Sequence, residues 1–197
     1  MTWIQTRTGR RFEFEQIGIS KIDPQDVAWS LAHQCRFNGH CRRFYSVAEP
    51  TLRMLIAPEL LGMDLGGDAD QVALAIMVHD AHEAYVSDLP RPIKWLLGDH
   101  WGAIERQCEL HVRNELDAGS ISPKTWDLVR LLDNSMLQLE ARELLVWPQQ
   151  PWDFGSTAGV LRGPLGAPLG DPEETAERWL LEYDRCLIGR DSKGVKS

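Results

Sequence analysis

Two periods of hydrophobic and polar positions divide the chain. From Thr2 to Ile19, aromatic and β-branched residues alternate with polar ones around Thr8-Gly9, a pattern that predicts a small, peripheral β-hairpin or an extended arm over residues 1–20. Beyond it the helical period takes over. Asp23 followed by Pro24 is a cap with proline in the first turn, and the apolar series through Val27 and Leu31 predicts a helix ending near Arg36 to Gly39. Ser46 with Glu49 three residues later has capping-box form, and the apolar stretch that follows runs to Leu61 before Gly62, with Pro58 set to bend or break it. A third helix is expected from Asp70 to Val86, apolar on most faces as a segment enclosed by other helices must be.

After the turn-forming run Asp88-Leu89-Pro90-Arg91-Pro92 come Ile93 to Leu97, an amphipathic stretch from Trp101 to Leu116, and another from Pro123 to Val146, the last two divided at Gly119-Ser120. Glycine and proline accumulate without period over 147–172, which reads as a surface loop. A final helix is expected from Glu173 to Leu187, and residues 192–197 form a short polar tail. The pattern predicts one all-α domain over 1–197, a compact bundle of about six or seven helices with the small N-terminal hairpin.

Composition narrows the class of partner. The 197 residues are 43% hydrophobic and 25% charged, as in a folded soluble domain. A formal net charge of -8 repels a phosphate backbone, so nucleic acid is not the expected partner. The four cysteines, Cys35, Cys41, Cys108 and Cys186, show no CxxC spacing, which suits reduced thiols in the cytoplasm better than a disulfide scaffold. No segment has the length and apolarity of a signal peptide or a membrane span, so no membrane partner is expected.

One cluster does not fit a plain core. His79 and Asp80 stand near the end of an otherwise apolar helix, with Glu83 at helical spacing and Asp88 beyond the helix end. Enclosing an imidazole and carboxylates in a low-dielectric bundle is unfavourable unless a cation or hydrogen bonds compensate, and a divalent metal suits this donor set. Asp133, set among Leu128, Val129, Leu131, Leu132, Met136 and Leu137, is the leading candidate for a further ligand.

The three segments CRFNGHCRRFYSVAE, HDAHEAYVSDLPRPIK and LLDNSMLQLEAREL, in that order, resemble the HD-domain superfamily of phosphohydrolases. They are most similar to the branch with bacterial 5'-deoxynucleotidases and small phage-encoded proteins, some acting on deoxynucleoside triphosphates. The resemblance covers roughly Asp23 to Leu145 and implies an HD-type helical bundle that hydrolyses deoxynucleotide 5'-monophosphates or triphosphates. It implies one divalent ion (cobalt, manganese, magnesium, zinc or iron) on His79, Asp80 and Asp133, with Glu83 and Asp88 handling the proton of the attacking water. Arg36 and Lys94 correspond to phosphate contacts, and Phe37 to an aromatic neighbour of the sugar or base. A homo-oligomer and a cytoplasmic setting, in a bacterium or phage-infected host, go with the same resemblance.

One departure stands out. Where the family has Ser-Val-Ala-Glu-His, with the histidine a metal ligand, this chain has Pro50. Three outcomes stay open: a three-ligand site completed by water, replacement by His33, His40 or His82, or a metal-poor relative that binds nucleotide as a regulator without turnover. His79, His82 and Glu83 have neither spacing of the helical zinc peptidases, which argues against a peptidase. His100, His111 and the eight tryptophans are expected to serve packing or surface roles.

Overall fold

The structure is a computed structural model that describes residues 2–146 and 161–194, without the side chains of Leu60 and 191–194. It is an all-α bundle preceded by a two-stranded hairpin. Strands β1 (Trp3–Gln5) and β2 (Arg11–Glu13) pair antiparallel with Ile4 opposite Phe12. Gly9 takes φ 84° in the connecting turn, where only glycine turns without strain. The arm is peripheral yet anchored: Phe12 is buried and stacks on Tyr85 at 4.1 Å, while the Thr8 amide and hydroxyl donate to the Asp26 carboxylate at 2.7 and 2.8 Å.

Helix α1 (Pro24–His33) starts as its sequence dictates, with Asp23 as cap accepting from the Gln25 amide at 3.0 Å. It ends earlier than expected. Beyond Gln34 the chain turns extended, Cys35 bridges antiparallel to Ser46, and Arg36–Gly39 forms a 3₁₀ turn. Phe37, Asn38 and Gly39 there all have positive φ, so the segment leaves the helix and lays its side chains along a cleft. The expected capping box is absent for the same reason. Ser46 is taken up in the bridge, its hydroxyl makes no hydrogen bond, and Val47 holds the cap position of α2 (Ala48–Met54). Glu49 instead pairs with Arg53 at 2.8 Å. Pro58 stands in the first turn of α3 (Ala57–Leu60), where it marks the expected break.

The third expected helix is two. Helix α4 (Ala69–Val78) stops just before His79 and Asp80, residues 79–82 form a turn, and α5 (Glu83–Val86) resumes the helix. The two stretches expected after Pro92 are the two parts of α6 (Arg91–Glu115), which are separated by a kink at Gly98 (φ 64°, ψ -152°). Helix α7 (Pro123–Leu144) opens on Ser122, whose hydroxyl accepts from the Thr125 amide at 3.2 Å. Helix α8 (Pro172–Gly194) runs past the expected end at Leu187 and includes the start of the predicted tail.

Helix α8 seals the bundle. It packs on α1, α4 and α2 and buries Ala176, Trp179, Tyr183 and Cys186 against them. Of the predicted Gly/Pro loop, 147–160 lies outside the described residues, as do 195–197 of the tail. Residues 161–171 are irregular, but Leu161 and Leu165 are buried. Arg53 donates to the carbonyls of Leu165 and Ala167, and Arg142 to that of Gly163, so this strand of loop is pinned to α2 and α7. No helix among the described residues is long and apolar enough to cross a membrane.

Candidate active site

Helix α4 buries Val72 and every residue from Leu74 to Val78, so it runs through the centre of the bundle. Its end delivers His79 and Asp80 to the floor of a cleft. The His79 ring is fixed by Nδ1, which donates to the Ile76 carbonyl at 2.7 Å and leaves the lone pair on Nε2. That atom is buried and makes no directed hydrogen bond, although Asp80 Oδ2 lies 3.0 Å away and Asp133 Oδ1, from α7, 3.9 Å away. One donor atom from each of His79, Asp80 and Asp133 lies within 4.8 Å of the others. An orphaned imidazole nitrogen facing two carboxylates is a donor set that fits a divalent transition metal, with the Ile76 carbonyl holding the tautomer.

Electrostatics express the same tension. Burial disfavours a charged imidazole, but Asp80 and then Asp133 outweigh it and push the His79 pKa up to about 9. Asp80 is lowered: burial works against its charge, and His79 overcomes it. Asp133 is raised, by burial and then by the charge on Asp80. Two carboxylates and one imidazole held this closely need added positive charge, whether a proton or a metal.

The cleft has a volume of about 640 Å³, and Asp80, Glu83, Asp88 and Asp133 share its walls with Arg36, Arg91 and Lys94. The Arg36 guanidinium is buried. Its Nε donates to Glu140 Oε2 at 2.9 Å, while Nη1 lies 3.9 Å from Asp88 and Nη2 3.9 Å from Asp133. Burial opposes its charge, yet Glu140, Asp133 and Asp88 raise its pKa further. Lys94 Nζ lies 2.5 Å from Glu105 and 3.9 Å from Glu83. Glu83 is pushed well up by burial and then by Asp80 and Asp88, and its Oε2 has no hydrogen bond. Asp88 is also raised, by burial, against the pull of Arg36.

All eight residues singled out in the sequence gather here. Arg36, Phe37, Asp80, Glu83, Asp88, Lys94 and Asp133 line the cleft, and His79 lies directly beneath it. The three alternative histidines stay out of the His79, Asp80 and Asp133 group. His33 is exposed and stacks on Trp29, His40 lies exposed on the cleft wall, and His82 is buried 4.0 Å from Glu105. Pro50 is buried within α2.

Four residues escaped the sequence reading. Glu140 and Tyr45 anchor Arg36, Glu105 anchors Lys94, and the Gln34 amide accepts from the Asp88 backbone while donating to the Glu83 carbonyl. Glu140 had one available signal: it falls seven residues after Asp133, two helical turns along the same face.

No protein-family model matches the chain. It is 32% identical over 163 residues to the uncharacterized protein YfdR of Escherichia coli K12, covering 83% of this chain and 80% of that one. The chain belongs to the YfdR family. An uncharacterized protein of Rhodobacter capsulatus is 28% identical over 191 residues, which is 94% of this chain and 95% of its own. Both alignments span most of each partner, so similarity to the YfdR family concerns the whole domain and is not confined to a motif around His79 and Asp80.

Proposed function

We propose that the cleft is the active site of a metal-dependent phosphohydrolase of HD type that acts on deoxynucleotides, either 5'-monophosphates or triphosphates. The observation that carries this reading is the convergence of His79, Asp80 and Asp133 beneath a cleft that also presents three cations, Arg36, Arg91 and Lys94, and two further carboxylates. His79, Asp80 and Asp133 would hold one divalent ion, which when bound polarises a phosphoryl oxygen and makes a water more acidic.

The chain's own groups supply the rest. The Nη donors of Arg36 face the cleft and suit two oxygens of one phosphoryl group, with Lys94 as a second cation. Glu83, buried and with its pKa pushed well up, is placed to take the proton of the attacking water. Asp88, on the Arg36 side, is raised as well and can hold or return that proton. The exposed Trp95 and the half-buried Phe37 offer apolar faces for the sugar or base. Lining carboxylates outnumber the cations, so a phosphate anion would be repelled without an added positive ion, which accords with metal dependence.

Pro50 favours a second reading, a nucleotide-binding regulator whose turnover was lost with one ligand. A panel of deoxynucleoside mono-, di- and triphosphates, each with Mg²⁺, Mn²⁺, Co²⁺, Zn²⁺ or Fe²⁺, separates the two. Release of phosphate, pyrophosphate or triphosphate, lost in Asp80→Ala, supports the enzyme. No release with any metal, but regained turnover in Pro50→His, supports the regulator. If Pro50→His gains no metal, the regulator loses its motive. No release from either protein sinks the phosphohydrolase.

A further inference from the structure

Arg36 sits on a short 3₁₀ turn and not on one of the long helices. Phe37, Asn38 and Gly39 after it all have positive φ, and the turn borders the open cleft. Beyond the bonds of the turn itself, the Arg36 amide donates to the Tyr45 carbonyl at 2.9 Å and its carbonyl accepts from the Cys41 thiol at 3.3 Å. The guanidinium is fixed from the other side of the bundle. Glu140, fully buried on α7, accepts from Nε at 2.9 Å through one oxygen and from the Tyr45 hydroxyl at 3.0 Å through the other.

This arrangement differs from the usual way arginine meets a carboxylate. The strong form is a fork, two parallel bonds that use two nitrogens at once. Here Glu140 takes Nε alone because Tyr45 holds its second oxygen. Nη1 and Nη2 are left toward the cleft, each 3.9 Å from a carboxylate and so beyond hydrogen-bond reach. Stability alone is a weak reason for the pair, since a buried ion pair is commonly no better than apolar packing. Helix α7 also carries Asp133 two turns earlier, so one rigid element sets both the metal-ligand carboxylate and the direction of the guanidinium.

We propose that Glu140, braced by Tyr45, is a positioning residue that turns the free edge of Arg36 toward the cleft so that it can grip two oxygens of one phosphoryl group. The inference rests on the cleft being a phosphate site, so its test does not require turnover.

The test is calorimetric titration of inorganic phosphate into the Mg²⁺-loaded protein, for wild type, Glu140→Gln, Arg36→Met and the double variant, with circular dichroism and thermal melting to confirm folding. Glu140→Gln is expected to weaken phosphate binding by roughly tenfold, the loss of one well-aimed charged contact. In the Arg36→Met background the same change is expected to have no further effect, because Glu140 acts through Arg36. Equal losses in both backgrounds, or none in either, overturn the proposal, as does a wild type that binds no phosphate. If Glu140→Gln fails to fold, Tyr45→Phe frees the second oxygen while the Arg36 to Glu140 pair stays in place, and it must weaken phosphate binding about two- to threefold. Coupled losses in a protein that hydrolyses no nucleotide would leave this inference standing and remove the enzymatic one. Hydrolysis and phosphate binding untouched by Glu140→Gln would do the reverse.

Discussion

Lys94 Nζ lies 2.5 Å from Glu105 Oε1, an ion pair that joins the two parts of α6 across the interruption at Gly98. The contact gives Lys94 a fixed direction, with its charge 3.9 Å from Glu83 inside the cleft. Burial disfavours the ammonium, but the hydrogen bond it donates to Glu105, followed by the charge on Glu83, keeps its pKa raised. Glu105→Gln removes the anchor and leaves the cation in place. Under the proposed phosphohydrolase function, the expected outcome is a KM for nucleotide that rises by about three- to tenfold with little change in kcat, the pattern of a lost ground-state contact. Steady-state kinetics decide it; a fall in kcat at constant KM would instead place Glu105 in the chemical step.

The interruption itself is a backbone property. Gly98 combines φ 64° with ψ -152°, a region that residues with a Cβ scarcely enter, and nothing lies within 4 Å of where that Cβ would be. Gly98→Ala is therefore expected to destabilise through the backbone alone, by about 1 to 3 kcal/mol. Urea unfolding measures it. An unchanged midpoint would mean that the two parts of α6 can run straight, and that the Lys94 to Glu105 contact is not built on the bend.

Much of this was legible along the chain, for physical reasons. Asp23 and Pro24 specify a helix start in any context, and they do so here. Asp133 drew attention because a carboxylate inside an apolar helical run needs a partner, and His79 and Asp80 proved to be near it. The break after Val78 was hidden because His79 through Glu83 can all continue a helix. Ser46 and Glu49 match a capping box by letter, yet pairing of Ser46 with Cys35 overrides it. Glu140 looks like part of a solvated face in Leu139-Glu140-Ala141-Arg142. Its burial follows from Arg36, 104 residues earlier, and local pattern carries no record of such a pairing.

Stability should fall in alkali, and buried thiols contribute to the slope. Cys108 and Cys186 are buried, and each pKa is pushed from an ordinary 9.0 up to about 12, chiefly by burial and then by neighbouring carboxylates. Below pH 9 both thiols are protonated in the folded and the unfolded chain, so neither affects the balance. Above it the unfolded chain releases protons that the folded chain retains, and stability is lost until the folded pKa is reached. Each thiol adds a slope of up to about 1.4 kcal/mol per pH unit. Urea midpoints at pH 8, 9 and 10 are expected to drop more steeply for wild type than for Cys108→Ala. Parallel curves would show that the thiol ionises in the native state.

The metal reading makes a prediction that is independent of catalysis, because binding to the folded state alone raises stability by mass action. At an ion concentration one hundred times the Kd the gain is about 2.7 kcal/mol, or a rise in Tm of roughly 5 to 10 °C for a domain of this size. Asp133→Asn and His79→Gln are each expected to abolish that rise. Their behaviour without metal should differ from an ordinary core lesion. Asp133 has its pKa raised by burial and by Asp80, so its charge is unfavourable in the fold, and Asp133→Asn without added metal should melt no lower than wild type. Arg36→Met lies outside the ligand set and should keep the metal-induced shift. Differential scanning fluorimetry with Mn²⁺, checked against metal content after dialysis, reads all three. A wild type unmoved by any divalent ion, or an Asp133→Asn variant that shifts as far as wild type, would show that these donor atoms lie close together for some purpose other than holding a cation.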